Sequence, residues 1–107
     1  MNVLSSLKSI NAYPVPEETF AEAAIRREID LESEATKELL TSKEYRLTRA
    51  DILRWLAGAP NISQSGISYS FTAEERAAFL EEANDIYLEY EDEYAQQTKY
   101  GYKGSKL

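Results

Sequence analysis

Three features of the sequence predict an all-α fold. Apolar residues recur at spacings of three and four through most of the chain. Prolines and a Ser/Gly-rich stretch cut it into helix-sized pieces, and the run Thr72-Ala73-Glu74-Glu75 is a capping box that opens a long acidic helix. The expected architecture is a four-helix single domain over residues 1–96. It has a central hydrophobic helix, a long acidic final helix, an extended loop or arm at 61–71, and a flexible basic tail at 97–107. A chain of 107 residues has room for one modest core.

Val3, Leu4, Leu7 and Ile10, with Ala12, mark a short helix over 3–12 that Tyr13-Pro14-Val15-Pro16 ends, because a residue before proline is pushed away from helical geometry. Pro16 then stands at the start of a second helix over about 16–28, with Glu17 and Glu18 favourable at its N-terminal end and Phe20, Ala23, Ala24 and Arg27 along one side. After the connector Ile29-Asp30-Leu31-Glu32, Asp30 or Ser33 is positioned to cap a long helix over 33–57, with a bend near Thr41-Ser42. Leu39, Leu40, Leu47, Ala50, Leu53 and Leu56 form its stripe, which Tyr45, Ile52 and Trp55 widen. Such a helix is packed on two sides, so 44–57 is the expected centre of the core. Gly58 is placed as its C-cap and Pro60 enforces the stop.

Ile67, Tyr69 and Phe71 alternate with serines, the period of an extended segment. The expectation is that a lone extended piece makes no sheet inside one monomer; it lies along the helices or pairs with another chain. The final helix is expected over about 73–96, with Phe79, Leu80, Ala83, Ile86, Tyr87, Tyr90 and Tyr94 in register.

Composition removes whole classes of chemistry. With no cysteine and no histidine, the chain has no disulfide framework, no thiol nucleophile, no Cys/His zinc site and no Ser-His-Asp triad. Its four glycines form no phosphate-cradling loop, and its net charge of −7 opposes broad binding to nucleic acid. Glu81, Asp85 and Glu89 share one helical face, but carboxylates on one straight helix do not converge on a cation. Asp51, on the most apolar helix and near Arg49 and Arg54, reads as a partly buried structural acid paired with an arginine or a helix end. The expectation is therefore no enzyme, no cofactor, no metal, no nucleic-acid partner and no membrane span. The start of the chain lacks a basic stretch followed by an apolar one, so a cytoplasmic location is expected.

Charge is unevenly placed. Residues 72–94 hold nine acids against one base, whereas residues 95–107 hold three lysines and no acid. Glu81, Glu82, Asp85 and Glu89 thus form a candidate acidic docking face for a basic partner, and the tail is suited to pair with the acidic face of another subunit. Eight tyrosines add rigid area with polar tips, the composition of interfaces. Ile67, Tyr69, Phe71, Tyr90 and Tyr94 are accordingly the candidate assembly residues, and Tyr100 and Tyr102 lie beyond what a small monomer covers.

The strings Tyr13-Pro14-Val15-Pro16, Ser42-Lys43-Glu44-Tyr45-Arg46-Leu47, Ala50-Asp51-Ile52-Leu53-Arg54-Trp55-Leu56, Ala59-Pro60-Asn61-Ile62-Ser63-Gln64 and Tyr69-Ser70-Phe71-Thr72 together resemble a family of small proteins of unassigned activity encoded in Bacteroides-type gut bacteria and their prophages, over about residues 3–90. The order of elements is similar to that of the helical head–tail connector (head-completion adaptor) proteins of tailed phages, which assemble as a ring under the portal. That resemblance implies a structural protein that oligomerises, docks to portal or neck proteins and ends in a virion; no functional residue carries over from it. The reading of the residues themselves leaves a second class open: a monomeric helical module that captures a basic partner on helix 73–94.

Overall fold

The computed structural model describes residues 1–95. Along the chain lie α1 (Val3–Lys8), α2 (Glu17–Arg27), α3 (Lys37–Leu40), α4 (Lys43–Ala57), β1 (Ile62–Gln64), β2 (Ile67–Tyr69) and α5 (Ala73–Glu89). The expected tail at 97–107, with Tyr100 and Tyr102, lies outside the described residues.

The two strands correct the all-α expectation: the fold is helix-rich but mixed. β1 and β2 form an antiparallel hairpin with Ile62 opposite Tyr69 and Gln64 opposite Ile67. The extended piece finds its partner in its own chain because Ser65-Gly66 reverses it. Their φ values of +54° and +78° are the two left-handed positions that a two-residue type I′ turn demands. The arm is therefore an internal hairpin.

The helices also depart from expectation at their ends. α1 stops at Lys8, where the Ser9 hydroxyl donates to the Ser6 carbonyl at 2.6 Å and the Asn11 side chain accepts from the Tyr13 N–H at 2.9 Å. Both are local bonds that compete with a helix. Its start is held from outside: the Val3 and Leu4 N–H groups donate to the carbonyls of Ser33 and Leu31, and the Asn2 side chain accepts from Ser5. Residues 31–35 thus run beside α1 and serve its unpaired first-turn donors. That takes them out of the helix expected from residue 33. The expected bend at Thr41-Ser42 is a full break: the Thr41 hydroxyl turns back to the carbonyls of Lys37 and Glu38, while extended Ser42 caps the next helix through Tyr45. Gly58 caps α4 with φ of −102°, and a Cβ there would make only an ordinary contact with the Trp55 carbonyl, so this end does not depend on the freedom of glycine.

α4 is the central element, as its width of apolar surface predicts. Tyr45, Ile52 and Leu56 face a core with Val3, Leu7, Tyr13, Phe20 and Ala23, and Leu47, Ala50 and Leu53 face a second with Ala83, Ile86 and Tyr87 of α5. The small side chains Ala50 and Ala83, both buried, let α4 and α5 approach closely. The capping box is present at Thr72 and Glu75. α5 ends at Glu89, short of the expected residue 96. Glu91 takes φ of +53°, and the N–H groups of Glu91 and Asp92 return to the carbonyls of Leu88 and Tyr87. This is a Schellman end. α2 ends the same way: Glu28 has φ of +60°, and the Glu28 and Ile29 N–H groups return to Ile25 and Ala24. The two terminations point Arg27 and Asp92 at one another.

Candidate functional site

The end of α2, the middle of α4 and the end of α5 meet at Asp51. Its carboxylate accepts from Arg27 Nε at 2.8 Å and Nη2 at 2.9 Å, from Arg26 Nη1 at 3.0 Å and from the Tyr87 hydroxyl at 2.6 Å. Arg27 also donates to both oxygens of Asp92, at 2.7 and 3.2 Å, and Asp92 in turn accepts from the Tyr94 N–H at 3.0 Å. The side chains of Asp51, Arg27 and Asp92 are 5, 9 and 11% exposed. A charge this deeply buried persists because it is fully partnered.

The hydrogen bonds to Asp51, reinforced by Asp92 and opposed by burial, hold the Arg27 guanidinium above even its ordinary value. Burial, then donation to Asp51, pushes the Tyr87 hydroxyl well up. Burial alone would raise Asp92, but the bonds from Arg27 and the Tyr94 N–H, with the Arg27 charge, outweigh it and keep its carboxyl below the usual range. The Tyr94 ring completes the cluster edge-on to Tyr87 at 5.8 Å and beneath Arg54 at 4.3 Å. This cluster is a clasp that pins residues 92–94 onto the body. The expected arginine partner of Asp51 is present, but it comes from α2 and not from the neighbouring Arg49 and Arg54.

The candidate assembly residues divide. Tyr69 and Phe71 pack inward around buried Tyr13, at ring distances of 6.1 and 5.5 Å, and Phe71 meets Phe79 at 5.0 Å. They cover the protein's own core. Ile67, at the turn of the hairpin, is 54% exposed. Tyr90 is half-buried and accepts from Arg46 at 3.3 Å, and Tyr94 belongs to the clasp. Neither tyrosine lies on a helix that continues beyond the domain.

The acidic face divides as well. Because α4 and α5 run antiparallel, Arg49 of α4 reaches Glu82 at 2.9 Å and Arg46 reaches Glu89. The Glu89 contact raises the Arg46 guanidinium further. Glu81 and Asp85 enter no ion pair among the described residues and are exposed. They border a groove of about 530 Å³ whose floor and walls include Leu80, Ala83, Leu88 and Tyr94, with Arg54 at one side. Leu80 and Leu88 are 50 and 41% exposed, among the largest apolar side chains left open to solvent. A second groove of about 460 Å³ lies between α2 and α4 beside Trp55, with Arg26 and Asp51 in its wall already bound to one another.

Among the described residues no group of His, Cys, Asp or Glu is arranged to hold a metal ion, and no helix is long and apolar enough to cross a membrane. No family model matches the chain, and no curated protein or solved structure matches it. The arrangement offers an apolar groove edged by carboxylates that are unpaired among the described residues, beside a clasp whose charges are consumed by one another.

Proposed function

We propose that this chain is a non-enzymatic interaction module whose outer α5 surface docks a basic, amphipathic segment of a partner protein. One observation carries the reading. Glu82 and Glu89 are neutralised by α4, whereas Glu81 and Asp85 enter no ion pair among the described residues and border a groove where Leu80 and Leu88 are open to solvent. Apolar area supplies most of the affinity in such a contact, and the carboxylates select a basic partner and speed its approach. The test is fluorescence anisotropy with a labelled synthetic peptide that carries leucines on one helical face and lysines flanking them. The full chain binds it with an affinity that falls as salt rises. The double variant Glu81→Lys/Asp85→Lys loses at least tenfold, while Glu82→Gln/Glu89→Gln stays within about twofold. Equal losses in the two variants, or no binding by the unaltered chain, would reject the reading.

The hairpin favours a second reading, that of a connector-like assembly protein that forms a ring and docks to portal or neck proteins. Ile67 stands exposed on a hairpin whose two strands pair only with each other among the described residues, and open strand edges invite pairing with another chain. Native mass by light scattering over a wide concentration range separates the two. A monomer at every concentration supports the module, and a defined oligomer that disappears in Ile67→Lys supports the assembly protein.

A further inference from the structure

The position and charge of the α5 groove point to one particular occupant. We infer that residues 96–107 of the same chain bind back into this groove and compete with the partner; the inference rests on the reading of the groove as a docking site. The described chain ends at Ala95, next to Tyr94, which forms a wall of the groove. Asp92 and Tyr94 are held by the clasp, so the segment leaves from a fixed point at the site. It contains Lys99, Lys103 and Lys106, no acid, and the apolar or amphipathic residues Tyr100, Tyr102 and Leu107. That composition is the complement of Glu81, Asp85, Leu80 and Leu88.

Length and concentration favour the contact. Twelve residues span up to about 40 Å when extended, against roughly 17 Å of helix between Ala77 and Leu88. Exposed ion pairs are individually weak. A short tether, however, presents the segment at an effective concentration of about a millimolar or more, so an affinity that would be negligible between separate molecules suffices within one. A partner then gains the groove only by exceeding that competition, and any modification that removes lysine charge from the segment opens the site.

The test uses the full chain. Because the sequence has no cysteine, Ser105→Cys carries a single nitroxide label without further change. Paramagnetic broadening is expected at the amides of residues 77–88 and absent from α1 and the hairpin. It is expected to fall at least twofold in salt and in Glu81→Lys/Asp85→Lys, and to be absent when an unlabelled-nitrogen spin-labelled chain is mixed with an isotope-labelled, spin-free one. In parallel, Lys99→Gln/Lys103→Gln/Lys106→Gln is expected to bind the basic peptide probe about threefold or more tighter than the unaltered chain. Broadening that is uniform or missing overturns the inference, and so does broadening that appears in the mixed sample, which assigns the contact to a second copy. If the probe still binds on α5 while the broadening is missing, the segment is excluded and the docking site stands; if neither is seen, both fall.

Discussion

The two sides of α5 use the same residue type to opposite ends. Facing the body, acids are matched: Glu82 with Arg49, Glu89 with Arg46, and, just beyond the helix, Asp92 with Arg27. Facing outward, Glu81 and Asp85 have no such partner among the described residues and sit among exposed leucines. The negative charge concentrated at residues 72–94 is therefore two populations. One holds the helix in place, and the other is available to something else. A count of charges does not separate them; the antiparallel pairing of α4 and α5 does.

Substitutions that remove body-facing charges should damage stability in proportion to their burial, and outward ones should leave it alone. The largest effect is expected at Asp51. Asp51→Ala strands Arg27, Arg26 and the Tyr87 hydroxyl, and breaking a buried ion pair by removing one partner costs about 3–5 kcal/mol; urea denaturation measures it. A loss below about 1 kcal/mol would mean that water readily replaces the carboxylate.

Next comes Tyr87→Phe, which deletes a donor to a charged acceptor and is expected to cost about 1.5–3 kcal/mol. It also changes the alkaline limb of stability. The folded hydroxyl titrates above its unfolded value, so its contribution is complete below about pH 10 and declines as pH rises further. That decline should flatten in the variant. The acidic limb follows Asp92 with the opposite sign. Its folded carboxyl lies below the ordinary range, so its contribution is present above about pH 3.9 and is lost as pH falls through the folded value. Asp92→Asn should be less stable at pH 7 and lose less on acidification, as thermal melts across pH will show.

Smaller effects sharpen the comparison. Glu82→Gln and Glu89→Gln remove half-exposed pairs and should each cost about 0.2–1 kcal/mol. Glu91→Gly has the reverse sign. It relieves a left-handed residue at the Schellman end and should stabilise by up to about 1 kcal/mol, detectable as a raised Tm. Glu81→Lys and Asp85→Lys should leave the melting curve unchanged.

What could be read from the sequence was local, and what could not was the meeting of distant segments. The stripe of α4 and the Thr72 capping box are each written within a few turns of chain, and both are present. The hairpin was legible in principle through Ser65-Gly66, a turn signal that outweighs the alternation of Ile67, Tyr69 and Phe71 taken alone. The end of α5 was not: Tyr90-Glu91 carries no glycine, and Glu91 tolerates its left-handed backbone because the clasp beyond it fixes Asp92. Arg27, Asp51 and Asp92 lie 24 and 41 residues apart along the chain, so no spacing links them; only the fold makes them neighbours. The division within the candidate docking face was likewise hidden from the sequence. Glu81 and Asp85 face outward, while Glu82 and Glu89 are spent on α4, a division that depends on which helix packs behind them.

The most direct measurement is a two-dimensional amide NMR titration of the isotope-labelled full chain with the basic amphipathic peptide. Shifts are expected to concentrate in residues 77–88 and around Tyr94, with the hairpin and the amides of α1 unmoved. Shifts centred on Ile67 and the hairpin, or spread without focus over the surface, would contradict it.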